Sequence, residues 1–356
     1  MDTDTDRPLE DPRRIAVIDI GTVTTRLLVA DTDGASVDEV VRRTVVTHLG
    51  EGLHASGRLS EAGIERVAIV VEAFVAEAER LGAESIRAVA TSAARDATNG
   101  RQFSERIERA GIRPRIIPGA AEARLSFAGA TYRIDDDDVL VADLGGGSTE
   151  LVFGCAHETA DGRDVEIDAA RSLDVGSRRV LDMFLTSDPP TPAELEAAAA
   201  WVADEMRPFF DGLRSRPRTL ITLAGTGTTL SAIRQELAVY DPERVHLSRL
   251  TGGDVADLRA RLAAMPVEER RAVVGMDPAR ADVIVAGALI LETIMALAGV
   301  DSTVVSEHDI LYGLVLAEAQ EDGLSEGLRG PLPQLAEGAG LNPAKSGFES
   351  QGGHQV

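Results

Sequence analysis

Short runs of β-branched and other apolar residues alternate with alanine-rich amphipathic segments along most of the chain. Runs such as IAVIDI, DVLVADLG and RTLITLAG have the length and the β-branched content of buried strands. Longer stretches, among them SEAGIERVAIVVEAFVAEAERLG and TPAELEAAAAWVADEMRPFF, repeat their apolar residues at helical spacing. This alternation of strands and helices predicts an α/β protein.

Two segments of the chain are similar to each other. VIDIGTVTTRLLV, at 17–29, aligns without a gap with VADLGGGSTELVF, at 141–153, and each is predicted to fold as strand, Asp-x-Gly turn and strand. A repeat unit of this size is a domain rather than a solenoid repeat. We therefore predict two domains of duplicated topology that face each other across a central cleft.

The predicted domains fill the middle of the chain. Domain I is predicted to span 14–130 and domain II 131–322, after a polar N-terminal segment at 1–13 that is expected to be disordered. The segment 323–356 is rich in Gly, Pro, Ser and Gln, which predicts a disordered tail. A chain of 356 residues, of which 44% are hydrophobic, is long enough to bury the cores of two domains.

The two Asp-x-Gly turns carry residue types suited to phosphate and metal. Glycine permits positive φ, which would direct successive amides inward as an anion-binding nest. The Asp that ends the first strand of each copy, Asp19 or Asp143, is a typical ligand of a hydrated divalent cation. The aligned Arg26 and Glu150 would place a cation and a carboxylate on opposite sides of the cleft. The predicted phosphate-binding residues of the turns are Gly21, Thr22, Thr24, Arg26, Gly145, Gly146, Gly147 and Ser148.

Three further segments are candidates for the same chemistry. In PGAAEARLSF, Glu122 lies in the first turn of a predicted helix, where it could polarise water for attack on phosphorus. The dipole of a helix N-terminus also favours Glu there, so spacing alone leaves both interpretations open. TSAARDATNG carries Arg95 after a predicted strand, as a phosphate clamp or a solvated side chain. LAGTGTTLSAI predicts a strand, a Gly-rich turn and a helix that receives an anion, although a packing turn fits it equally.

The composition narrows the classes of partner. With a net charge of −23 the surface repels nucleic acid and anionic membranes, so an anionic substrate must be held by local arginines, amides and a cation. Aromatic residues make up 3% of the chain, which argues against stacking of nucleic-acid bases. The one cysteine, Cys155, fits a reducing compartment, and no apolar stretch reaches the roughly 18 residues of a membrane span. We expect a cytoplasmic protein without nucleic-acid or membrane partners.

Several segments then occur in an order that is characteristic of one family. They are IDIGTVTTRLL, THLGEGLHASGRLSEAGIERV, TSAARDATN, GAAEARLSFAGA, DLGGGSTEL, LDVGSRRVLDMF, AGTGTTLSAI, RADVIVAGALIL and VSEHDILYGL. From about Arg14 to Leu316 the chain resembles the short, two-domain form of the Ppx/GppA phosphatases, whose domains have the fold of actin, Hsp70 and the sugar kinases (ASKHA). The resemblance implies an exopolyphosphatase that removes the terminal phosphate of polyphosphate with Mg²⁺ or Mn²⁺. It also implies a homodimer.

The resemblance assigns a role to each matching residue. Glu122 matches the carboxylate that activates the attacking water, and Glu150 matches a catalytic acid that also binds metal. Asp19 and Asp143 match metal-binding acids. Val23 departs from the family pattern, because Asn is common at this position. The residues that match phosphate contacts are Arg95, Arg280, more loosely Arg179, and the loop of Gly145, Gly146, Gly147 and Ser148.

Two alternative functions remain open. The same residues would serve a guanosine pentaphosphate (pppGpp) 5′-phosphohydrolase, although the scarcity of aromatic residues disfavours stacking on guanine. A protein of another class, a non-catalytic actin-like nucleotide binder, would use the Gly-rich turns to hold ATP. The presence of Glu122 in a matching motif counts against this second alternative.

Overall fold

The computed structural model describes residues 12–34, 36–159 and 162–319. Within them the chain forms two mixed β-sheets flanked by helices. The strands of the first sheet are β1 (Arg13–Ile20), β2 (Thr24–Thr32), β3 (Val37–Val46), β4 (Ser85–Ala90) and β5 (Arg115–Ile116). They lie in the order β3-β2-β1-β4-β5, with β1, β2 and β3 antiparallel and β4 parallel to β1.

The second sheet repeats this core arrangement. Its strands are β6 (Asp136–Leu144), β7 (Thr149–Thr159), β8 (Gly162–Leu173), β9 (Thr219–Leu223), β10 (Arg249–Thr251) and β11 (Ser302–Val305). They lie in the order β10-β11-β9-β6-β7-β8, with β6, β7 and β8 antiparallel and β9 parallel to β6. β1 is buried from Ile15 to Ile20 and β6 from Val139 to Ala142, which explains why these parts of the two strands are apolar runs rather than alternating ones.

Helices connect and cover the strands. The helices that precede β6 are α1 (Leu53–Ser56), α2 (Glu61–Arg80), α3 (Ser92–Asp96), α4 (Gly100–Glu108) and α5 (Gly119–Ala130). The later ones are α6 (Ser177–Phe184), α7 (Pro192–Asp211), α8 (Ala224–Arg234), α9 (Pro242–Val245), α10 (Gly252–Ala263), α11 (Val267–Arg270), α12 (Ile284–Ala298) and α13 (Ile310–Ala319). None of the helices among the described residues combines the length and the apolar character needed to cross a bilayer.

The predicted disordered segments fall almost entirely outside the described residues. The segment 323–356 lies wholly outside them, and of 1–13 only the last two residues are described. Arg13 is the first residue of β1, one residue before the predicted start of domain I.

The two hairpins are duplicates in register as well as in sequence. Asp19 lies opposite Arg26 in the β1–β2 pair, and Asp143 lies opposite Glu150 in the β6–β7 pair. Each turn is closed by a hydrogen bond from its first glycine amide to the carbonyl three residues later, at 2.9 Å in the first turn and 3.0 Å in the second. The gapless alignment of the two segments is therefore confirmed in the fold.

The last described helix, α13, returns to the first sheet. Sequence alone places this helix in domain II, but Leu311 and Val315 are buried together with Ile15 of β1. α13 also lies very close to α5, because a Cβ on Gly129 or Gly313 would stand 1.9 Å from a backbone oxygen of the facing segment. The predicted domain boundaries stay a prediction, but one of the two apolar faces of the first sheet is covered in part by α13.

Candidate active site

The first turn, between β1 and β2, places a buried carboxylate beside an arginine. Asp19 is 3% exposed, and its Oδ2 accepts hydrogen bonds from Nε and Nη2 of Arg26 at 3.1 and 2.6 Å. Nη1 of Arg26 donates to Asp309, directly before α13. Burial raises the pKa of Asp19, and the charge of Arg26 opposes that rise. Arg26, which was predicted to bind phosphate, is thus held between two carboxylates.

Asp143 and Glu150 lie opposite each other where β6 ends and β7 begins. Burial of the carboxyl group, followed by repulsion from Glu150, raises the pKa of Asp143 to about 7. Arg26 of the first hairpin lowers this pKa, whereas Asp309 and Glu122 raise it further. Charges from both hairpins therefore act on this one carboxyl group, whereas the single site formed by both turns stays a prediction.

The backbone of the glycine turns differs from the prediction. Gly21, Gly145, Gly146 and Gly147 do not have positive φ, so the expected positive-φ nest is wrong. The space at Gly21 and Gly145 is tight, because a Cβ would stand 3.2 and 3.0 Å from the carbonyl that closes each turn. Apart from Gly147 and its two chain neighbours, no described residue has an atom within 4 Å of where a Cβ on Gly147 would stand, and the Gly147 amide donates to no described residue. That this glycine allows the close approach of a ligand stays a prediction.

Glu122 lies in the first turn of α5, within reach of Arg95. Nη1 of Arg95 donates to Oε2 of Glu122 at 3.1 Å and to the carbonyl of Ile117 at 3.0 Å. Burial raises the pKa of Glu122, Arg95 opposes the rise, and the charges of Asp19 and Glu150 add to it. A carboxylate of raised pKa is a better proton acceptor. The predicted base and the predicted phosphate clamp are therefore direct neighbours.

Two cavities divide the predicted site residues. A cavity of about 320 Å³, here called the Glu122 cavity, is lined by Arg95, Glu122, Asp143, Ser148 and Glu150. A cavity of about 650 Å³, here called the Arg280 cavity, is lined by Thr24, Arg26 and Arg280. The remaining predicted residues line neither cavity; they are Asp19, Gly21, Thr22, Gly145, Gly146, Gly147 and Arg179.

The Gly-rich segment after β9 is not a turn, contrary to the prediction. α8 begins at Ala224 directly after β9, so Gly225 and Gly227 belong to the start of the helix. A Cβ on Gly225 would stand 1.7 Å from Cζ of Arg280, so only glycine lets the guanidinium lie against this helix end. Arg280 pairs with Asp277 at 3.5 Å. An anion in the Arg280 cavity would meet both this arginine and the positive end of the helix dipole.

Arg179 and Thr22 contact protein groups beside the turns. Nε of Arg179 donates to the carbonyl of Gly147 at 3.1 Å, and Nη2 donates to Asp174 at 3.1 Å. Oγ1 of Thr22 shares a hydrogen bond of 2.8 Å with Oγ of Ser92. These bonds hold the two turns in shape, and direct phosphate binding by Arg179 and Thr22 stays a prediction.

Sequence reasoning missed several polar residues of the site. Ser92, Ser126 and Ser172 line the Glu122 cavity, and Oγ of Ser172 donates to Oε1 of Glu150 at 2.6 Å. Asp309 lies in VSEHDILYGL, a segment that already supported the family resemblance. A signal for Asp309 was therefore present, but nothing local indicates that its partner is Arg26.

The carboxylates of the site are suited to a divalent cation that also contacts phosphate. Within residues 12–34, 36–159 and 162–319, no group of three or more His, Cys, Asp or Glu forms a ready-made metal site. Mg²⁺ is commonly held by one or two carboxylates together with phosphates and waters, so such a group is not required. Oδ1 of Asp19 is buried and has no described hydrogen-bond partner. Asp19 and Asp143 fit as ligands of Mg²⁺ or Mn²⁺, with Glu150 as a third candidate.

A two-domain α/β fold with carboxylates, arginines and paired Asp-x-Gly turns in its cleft is typical of enzymes that process phosphoryl groups. Residues 28–318 match the sequence profile of the Ppx/GppA phosphatase family, and the chain belongs to this family.

Known relatives share both the sequence and the fold. Exopolyphosphatase 2 of Mycobacterium tuberculosis is 38% identical over 326 residues, which cover 86% of this chain and 98% of that protein. The crystal structure of the Aquifex aeolicus family member superposes with a TM-score of 0.78 at 29% identity, covering 87% of this chain and 99% of the other. That of an exopolyphosphatase from Cytophaga hutchinsonii gives 0.73 at 27% identity, covering 86% and 98%. The predicted family and two-domain fold are confirmed.

Proposed function

We propose that the protein is an exopolyphosphatase that hydrolyses the terminal phosphoanhydride bond of inorganic polyphosphate with Mg²⁺ or Mn²⁺. The Glu122 cavity carries the proposal. There a carboxylate of raised pKa on α5 shares one cavity with Asp143, Ser148 and Glu150 of the second hairpin. The similarity to Exopolyphosphatase 2 supports polyphosphate as the substrate.

The residues of the site supply the parts of an in-line hydrolysis. Glu122 orients a water molecule and takes its proton while the water oxygen bonds to the terminal phosphorus. The bond between that phosphorus and the bridging oxygen breaks, and the shortened chain leaves with the electron pair. Arg95 and the amides of Gly146 and Gly147 stabilise the charge on the transferred phosphoryl group. A divalent cation held by Asp19 and Asp143 would neutralise further charge.

We assign the rest of the polyphosphate chain to the Arg280 cavity. This cavity adjoins the first turn through Thr24 and Arg26, and Arg280 and the start of α8 give it a positive region. Its volume of about 650 Å³ is larger than the 320 Å³ of the Glu122 cavity, but it is small compared with a long polyphosphate chain. Together with the net charge of −23, this favours short chains and chain ends over tracking along a long polymer.

The purified protein is expected to release phosphate from polyphosphate in Mg²⁺ or Mn²⁺, and EDTA is expected to abolish this release. The reason is that a chain with a net charge of −23 needs a cation to hold a polyanion beside buried carboxylates. Inorganic phosphate is measured over time, and excess Mg²⁺ added after EDTA is the control for chelation. Undiminished release in EDTA would exclude the cation, and no release with either metal would exclude an exopolyphosphatase.

Arg280→Ala is expected to raise KM about 10-fold for a polyphosphate of many units, because a charge-assisted contact to the chain is lost. For tripolyphosphate the increase should be clearly smaller, since that substrate reaches less of the Arg280 cavity. KM is measured for both substrates at saturating Mg²⁺. Arg101→Ala, at a side chain of α4 that is 93% exposed, is the control. An equal change for both substrates would contradict the assignment of this cavity.

The second candidate function is hydrolysis of pppGpp by the same residues. Tyr240, which is 49% exposed, lies on the wall of the Arg280 cavity and offers a ring on which guanine could stack. Competition between polyphosphate and pppGpp in one assay decides between the two substrates.

An actin-like nucleotide binder would instead bind ATP, assemble, and release phosphate from neither substrate. Because of the family resemblance, we also propose that the protein is a homodimer and that it acts in the cytoplasm.

A further inference from the structure

The segment 306–309, between β11 and α13, carries the chain from the second sheet back to the first. The side chain of Asp309, at the end of this segment, is 16% exposed. Its Oδ1 accepts a hydrogen bond from the amide of Leu311 at 2.9 Å, and its Oδ2 accepts one from Nη1 of Arg26. The carboxylate is therefore fixed from two sides, by the first turn of α13 and by the β1–β2 hairpin.

Arg26 divides its N–H groups between two carboxylates. Nε and Nη2 bond a single oxygen of Asp19, Oδ2, at 3.1 and 2.6 Å, and Nη1 bonds Asp309. The second oxygen of Asp19, Oδ1, is buried and has no hydrogen-bond partner among the described residues. A buried carboxylate oxygen of this kind costs free energy unless a cation or water compensates it.

Asp309 is also fixed relative to Glu122. α5 carries Glu122 in its first turn and Gly129 near its C-terminal end. A Cβ on Gly129 would stand 1.9 Å from the carbonyl oxygen of Asp309, so the two segments are in direct backbone contact. Arg26 is thus anchored to the helix pair that carries the proposed base.

We infer that Asp309 is a positioning residue for the divalent cation, an inference that rests on the proposed function. By holding Nη1 of Arg26, Asp309 keeps the guanidinium on one edge of Asp19 and leaves Oδ1 available to the cation. Without this partner, Arg26 would turn towards the remaining carboxylates, Asp19 and Asp143. It would then compete with the cation for its own ligands.

Asp309→Asn is expected to weaken Mn²⁺ binding by roughly 10- to 100-fold, the range for residues that orient metal ligands. Binding is measured without substrate, by titration with Mn²⁺ and electron paramagnetic resonance of the free ion. In the phosphate-release assay, run at saturating polyphosphate because Asp309 also lines the Arg280 cavity, the half-saturating metal concentration should rise by the same factor. Asn keeps the oxygen that bonds Leu311, so the start of α13 is preserved.

A double-mutant cycle separates competition by Arg26 from a simple loss of negative charge. Arg26→Gln should strengthen Mn²⁺ binding more in the Asp309→Asn background than in the wild type. Asp31→Asn is the matched control, because Asp31 pairs with Arg14 at the end of the β1–β2 pair that is distant from the turn and lines neither cavity; its Mn²⁺ binding should equal that of the wild type. Asp309→Glu, which keeps the charge, should bind Mn²⁺ better than Asp309→Asn, and it remains testable if Asn prevents folding.

The outcomes of this experiment and of the phosphate-release assay are distinct. Additive effects in the cycle, wild-type Mn²⁺ binding by Asp309→Asn, or a wild type that binds no Mn²⁺ would each overturn the role of Asp309. A wild type that binds Mn²⁺ but releases no phosphate from polyphosphate would refute the proposed substrate. The double-mutant cycle on Mn²⁺ binding could then still be interpreted.

Discussion

Replacing Glu122 by glutamine is expected to lower the turnover number for polyphosphate by at least ~10²-fold, the usual contribution of a positioned general base. Glutamine has the same size and can still accept a hydrogen bond from Arg95, so the geometry of the site is retained. It cannot take a proton from water, however. The burial and the neighbouring charges that raise the pKa of Glu122 then no longer serve the reaction. Turnover is measured as steady-state phosphate release at saturating substrate and metal.

The matched control for this variant is Glu105→Gln. Glu105 is an exposed carboxylate of α4 that pairs with Arg101, so its loss should leave turnover at the wild-type value. Thermal unfolding of both variants establishes that each is folded. Wild-type turnover in folded Glu122→Gln would remove Glu122 from the mechanism.

Gly313→Ala is expected to destabilise the protein by about 3 kcal/mol, at the upper end of the range for overpacked cores. A Cβ on Gly313 would stand 1.9 Å from the carbonyl oxygen of Leu125 and 2.7 Å from its carbon. Both atoms belong to the backbone of α5, so no side-chain rotation can relieve the clash and the helices must separate. Because α5 also carries Glu122, turnover should fall together with stability. The free energy of unfolding is measured by urea denaturation.

Gly253→Ala is the control for the glycine substitution. Gly253 is an exposed residue of α10, where a Cβ would meet Oγ1 of Thr251 at an ordinary contact distance of 3.7 Å. Alanine there should leave stability unchanged or raise it slightly, because it restricts the unfolded chain. Equal stability of Gly313→Ala and the wild type would show that α13 moves freely against α5, contrary to the close contact described above.

Local patterns predicted the parts of the fold and the site that depend on neighbouring residues. The two Asp-x-Gly hairpins were predictable because strand, turn and strand follow one another, and the register then fixes Asp19 opposite Arg26 and Asp143 opposite Glu150. The position of Glu122 at the start of a helix was predictable for the same reason. Its acid–base role was not, because the helix dipole favours Glu at such a position without any catalysis.

Interactions between distant parts of the chain could not be predicted in this way. Asp309 meets Arg26 across a sequence separation of 283 residues, and no spacing rule connects them. The same limit explains the placement of α13, whose apolar residues fit either sheet by pattern alone. Gly225 was interpreted as part of a turn because its contact with the guanidinium of Arg280 is distant in sequence.

The return of α13 has a consequence for how the protein is made. Ile15 of β1 is covered by Leu311 and Val315, so the N-terminal core cannot be completed from N-terminal residues alone. On the ribosome, the second sheet emerges in full while one apolar face of the first sheet still lacks the part of its cover that α13 provides. Synthesis of almost the entire polypeptide must therefore precede the closure of the lobe that is translated first.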